Sequence, residues 1–117
     1  MPETPPRPAL ATQHCQPCAA GTPPLAIDEA QRYLTQLQGW ELVDKMLLRK
    51  SLKMANFMAA VQLINRIAAL AEADDHHPDL HLTGYRRLVI ELSTHAIGGL
   101  SVNDFILAAK IDQLPIN

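Results

Sequence analysis

Long apolar runs, basic clusters and aromatic side chains are all scarce in this chain of 117 residues. Charged residues interrupt every apolar stretch before it reaches the ~18 residues of a membrane span, so no transmembrane segment is expected. The N-terminal MPETPPRPALATQ lacks an apolar core behind a basic start, which argues against a secretory signal and leaves a soluble cytoplasmic protein as the default. There is no run of Lys or Arg and the net charge is -2, a poor match for a nucleic-acid surface. Only Tyr33, Trp40, Phe57, Tyr85 and Phe105 are aromatic. They are spread along the chain, so a base-stacking platform is not expected. Cysteine is limited to Cys15 and Cys18. This Cys-x-x-Cys could be half of a zinc site or a redox pair. It has no second pair to complete four ligands and no strand–helix frame, so two reduced thiols are the plainer reading.

What remains is a hydrophobic content of 48% with 19% charged residues, ordinary for one globular domain with a modest core. Residues 1–23 carry most of the prolines and read as an extended or disordered tail, dispensable for folding and activity. The domain is expected over 24–117. Ala30, Tyr33, Leu34 and Leu37 recur at helical spacing, and Gly39 ends that helix. Trp40 to Val43 and Met46 to Leu52 read as strands joined by a turn at Asp44-Lys45. A second helix is predicted over 55–73, with Phe57, Val61, Ile64, Ala68 and Ala71 as its apolar stripe. Asp79 to Tyr85 and Arg87 to His95 follow as strands, the latter alternating Leu88, Ile90, Leu92 and Thr94 against Val89, Glu91, Ser93 and His95. Ser101-x-x-Asp104 has capping-box spacing for a last helix whose buried face is Val102, Phe105, Ile106 and Ala109. The expected class is α+β, in the order α-β-β-α-β-β-α. Unprotected sheet edges favour a homodimer or homotetramer.

The stretch from Glu72 to Asp104 carries the chemistry. Histidine both gives and takes protons near neutrality. His76 and His77 are adjacent and fixed by Pro78; His95 follows a strand-like run; Glu72 and Asp104 flank them. Proton transfer and metal binding are both open to such a set. Adjacent histidines in extended backbone diverge, which disfavours both reaching one metal. The plain alternatives are a solvated loop histidine, a surface acid at Glu72 and a simple cap at Asp104.

This segment resembles the signature of the pterin-4a-carbinolamine dehydratase family: an acid, three positions, His-His-Pro, five or six positions, an aromatic, nine positions, His, eight or more positions, Asp. It falls on Glu72, His76-His77-Pro78, Tyr85, His95 and Asp104 without departure. The resemblance covers residues 24–112, including Gly39-Trp40 and the STHAIGGLSVNDFILAAKID block. It implies a four-stranded antiparallel sheet with three helices on one face, dimeric or tetrameric assembly, and a hydro-lyase that dehydrates 4a-hydroxytetrahydropterin with no metal or cofactor. It also implies that His76, His77 and His95 are catalytic, with Glu72 and Asp104 supporting. Pterin contacts are expected at His76, His77, Pro78, Thr94, His95, Ala96 and Ile97. Some relatives are instead non-catalytic assembly factors for Rubisco, which is the alternative partner.

Overall fold

A computed structural model describes residues 10–16 and 21–115. The elements are α1 (Ile27–Leu34), β1 (Trp40–Val43), β2 (Leu47–Lys53), α2 (Phe57–Asp74), β3 (Asp79–Thr83), β4 (Arg87–Leu92) and α3 (Val102–Asp112), with short 3-10 turns at Leu10–Thr12 and His95–Ile97. The four strands form one antiparallel sheet in the order β1-β2-β4-β3, so the two central strands come from different hairpins. This is the expected α+β order. No helix among the described residues is long and apolar enough to cross a membrane.

Side-chain alternation decides which face of the sheet is covered. Leu48, Leu88, Ile90 and Leu92 are completely buried and meet α2 and α3. The other face carries Arg49, Glu91 and His81 from three neighbouring strands, joined by Arg49–Glu91 at 2.7 Å and His81–Glu91 at 3.1 Å. The Arg49 hydrogen bond outweighs partial burial and, with His81, holds the Glu91 carboxyl below its usual range.

Several elements depart from their sequence-derived bounds for identifiable reasons. In α2 the buried line is Ala60, Leu63, Ile67, Ala71 and Asp74, whereas Phe57 is 51% exposed. That helix has two apolar lines, and periodicity cannot choose between them. Asn56 caps it, its side chain accepting from the Ala59 amide at 2.8 Å. Tyr85 lies outside β3, in the turn to β4, with φ 57° and an exposed ring. β4 ends at Leu92 instead of reaching His95, because the chain bridges Thr94 to Gly99 and coils His95–Ile97 into a 3-10 turn. The Asp44-Lys45 turn is present, both residues having positive φ and Met46 donating to the Val43 carbonyl at 2.9 Å.

α3 is buried nearly all round, from Asn103 through Ala108, and not only on the predicted face. Its outer side is covered by Leu10–Thr12, with Leu10 only 2% exposed. Residues 10–16, read from sequence as part of an extended or disordered tail, are therefore packed on the domain. Leu10 supplies apolar burial that offsets part of the cost of ordering them, and the Gln16–Asn103 hydrogen bonds add to it. Cys18 lies outside the described residues. At the C-terminal end of α3, Asp112 accepts from Lys50 at 2.6 Å and Trp40 Nε1 at 2.8 Å, tying the helix to β1 and β2.

Candidate active site

The site is built where α2 ends. Asp75 takes a left-handed conformation (φ 50°), and its amide and that of His76 both bond the Ala71 carbonyl. This is a familiar helix stop, with Asp in the position that glycine usually fills. The reversal leaves Asp74 on the buried side of the helix and sends His76 and His77 in different directions. His76 Nε2 meets Asp104 Oδ1 at 2.7 Å, and Asp104 is 0% exposed. His77 Nε2 meets Glu72 Oε2 at 2.6 Å, with both side chains more than half exposed. The first pair sits in a low-dielectric setting; the second is screened by water and adds little to stability.

Asp104 has two jobs. Its Oδ2 accepts the Ser101 amide at 3.0 Å, which closes the capping box of α3. The same oxygen accepts the Thr94 hydroxyl at 2.8 Å. Thr94 has one hydroxyl proton and gives it to Asp104, so in the 2.7 Å Thr94–Ser101 contact Ser101 is the donor. A carboxylate only accepts, so His76 presents Nε2–H to it and keeps Nδ1 for the cleft. The cap of one helix thus fixes the ring and tautomer of a histidine on another element.

Across from this pair, Thr94 leads into the His95–Ile97 turn, which Gly98 closes with φ 66°. Gly99 follows at a close approach, where an added Cβ would lie 2.9 Å from Pro24 Cβ. The turn places His95 and Ala96 on the wall of a cleft of about 520 Å³ that His76, His77 and Thr94 also line. Of the remaining site residues expected from sequence, Asp104 stands behind His76 and Glu72 pairs with His77 outside the cleft, while Pro78 and Ile97 do not line it. The Ile97 amide is already bonded to the Thr94 carbonyl at 3.2 Å.

Other lining residues were missed: His14, Cys15, Gln16, Asp74 and Asn103. The signal for Asp74 was an acid on the buried α2 stripe at the spacing 60, 63, 67, 71, 74. Its carboxyl accepts from Lys110 at 2.6 Å and contacts His14 Nδ1 at 3.3 Å. Burial alone would raise its pKa, but the Lys110 and His14 hydrogen bonds and the Lys110 charge hold it below 3.8. Because the folded value is depressed, the stability it contributes is complete above 3.8 and is lost as pH falls through the lowered value. Thermal melts should therefore show wild type ahead of Asp74→Asn at pH 7, with the gap closing in acid; a constant gap would refute this. Burial, then the Asp74 charge, pushes the Cys15 thiol up to about 12, so it is no ready nucleophile. Among the described residues no group of three His, Cys, Asp or Glu side chains could hold a metal ion.

The family model described as Pterin 4 alpha carbinolamine dehydratase matches residues 23–114. A Rubrobacter xylanophilus protein, provisionally named a pterin-4-alpha-carbinolamine dehydratase, is 46% identical over 105 residues, covering 90% of this chain and 97% of that one. An alignment of that length leaves at most a dozen residues of this chain outside it, so it takes in residues 14–16. Pterin-4-alpha-carbinolamine dehydratase 2, mitochondrial, of Arabidopsis thaliana is 42% identical over 111 residues, covering 92% of this chain and 59% of the plant protein. The crystal structure of a transcriptional coactivator/pterin dehydratase from Brucella melitensis superposes with TM-score 0.70 at 31% identity, covering 75% of this chain and 94% of that one. Sequence and fold agree across nearly the whole domain, and the chain belongs to the pterin-4-alpha-carbinolamine dehydratase family.

Proposed function

We propose that this cleft dehydrates 4a-hydroxytetrahydropterin to quinonoid dihydropterin and water by histidine acid/base catalysis, in tetrahydropterin recycling. The observation that carries this reading is three imidazoles, His76, His77 and His95, around one cleft, the first backed by a fully buried carboxylate. In the step the C4a–O bond breaks, the hydroxyl leaves as water with a proton from an enzyme acid, and a base takes the proton from N5 as the C4a–N5 double bond forms. Acid and base then exchange protons with solvent to reset. Groups with pKa near the working pH serve both roles. His76 and His77 transfer the protons. His95 is the third imidazole, and ring-edge contacts fall to the backbone of His95 and Ala96, since the Ile97 amide is occupied.

The test generates the 4a-carbinolamine in situ with an aromatic amino-acid hydroxylase and follows its loss with and without the protein. Acceleration that persists in chelator is expected. No acceleration by folded protein would overturn the enzyme reading and favour the non-catalytic alternative, in which the chain co-purifies with Rubisco.

A further inference from the structure

The cleft has a wall that the histidine signature does not contain. Residues 14–16 are clamped to α3: the Gln16 amide donates to Asn103 Oδ1 at 2.9 Å, Asn103 Nδ2 donates back to the Gln16 carbonyl, and the Cys15 thiol reaches the Asn103 carbonyl at 3.5 Å. Asn103 adjoins Asp104, so the clamp sits next to the carboxylate that holds His76. Beside it, His14 places Nδ1 against Asp74 Oδ1 while its side chain stays 80% exposed. Asp74 itself is 3% exposed, and its other oxygen is taken by Lys110.

We propose that His14 contacts the pterin in this cleft, with Asp74 behind its ring as Asp104 stands behind that of His76, at 3.3 Å and with the ring more open to water. Both imidazoles line the cleft, and each spends one ring nitrogen on a buried carboxylate. They differ in which nitrogen is spent. His76 binds its carboxylate through Nε2, whereas His14 uses Nδ1 and leaves Nε2, the more distal atom, for a ligand. A carboxylate behind an imidazole restrains the ring's orientation, a device that suits a hydrogen bond to the polar edge of a flat heterocycle.

This inference rests on the dehydratase reading, and the experiment separates the two. Full-length wild type, His14→Ala and His14→Gln are compared in the dehydration assay, in fluorescence titration with the stable 7,8-dihydrobiopterin, and in thermal melts. His14→Ala should raise KM and the dihydrobiopterin Kd about tenfold, the size of one hydrogen bond to a charged or polar group. The melting temperature and kcat should hardly move. His14→Gln, whose amide reaches toward the Nε2 position, should recover part of the affinity. An active wild type with unchanged KM and Kd in His14→Ala overturns the His14 role alone, as does a fall in melting temperature that accounts for the loss. An inert wild type overturns the dehydratase reading instead.

Discussion

His76→Ala should slow dehydration of the 4a-carbinolamine by roughly 10²-fold or more, with little change in melting temperature. The size follows from removing the imidazole that Asp104 holds in one ring orientation and one tautomer. The small stability effect follows from position: His76 borders the cleft, so water can enter and satisfy Asp104 Oδ1 once the ring is gone. His77→Ala should also slow the reaction, but by less. Its partner Glu72 is 77% exposed, and a pair in water holds its ring more loosely. Steady-state turnover of the two variants, with melts as the control, checks both statements. Equal and full activity in His76→Ala would remove the imidazole from the chemistry.

The sequence made the two hairpins, the three helices and the histidine cluster legible because each leaves a local trace. Leu88, Ile90, Leu92 and Thr94 alternate as a strand must, and all four are buried. Ser101 and Asp104 sit at capping-box spacing, and the box forms. What stayed hidden depended on contacts distant along the chain. The buried line of α2 is chosen by the sheet it meets, not by the helix, so periodicity puts Phe57 on the inner face although it is exposed. Lys50 occupies a core-facing strand position that its ion pair with Asp112, far along the chain, makes tolerable. The segment around His14 showed prolines and no periodicity, and nothing local announces that Leu10 and Gln16 dock on α3. For the same reason, deletion of residues 1–22, harmless by composition, now removes a core side chain and a wall of the cleft.

Asp104 was open to two readings, a helix cap or a site residue, and the geometry gives one carboxylate both positions. Asp104→Ala should therefore lower stability and rate together. It strips partners from the Thr94 hydroxyl, the Ser101 amide and His76 Nε2, two of them on buried residues. Unsatisfied buried donors cost about 1–3 kcal/mol each, so a loss on the order of 3 kcal/mol is expected. A loss near 1 kcal/mol with normal turnover would mean a cap and nothing more. Asp104→Asn separates the two roles. The amide oxygen must face the Ser101 amide and the Thr94 hydroxyl, because turning NH₂ toward the backbone N–H would oppose two donors. The NH₂ then points at His76 Nε2, which has to accept, and the ring proton moves to Nδ1. Most of the stability should survive, while turnover falls about 10²-fold because the nitrogen facing the cleft has changed from acceptor to donor. Nitrogen-15 spectra of the imidazole would report the exchanged tautomer directly. Wild-type turnover in Asp104→Asn with the tautomer exchanged would show that the proton on His76 is immaterial to the reaction.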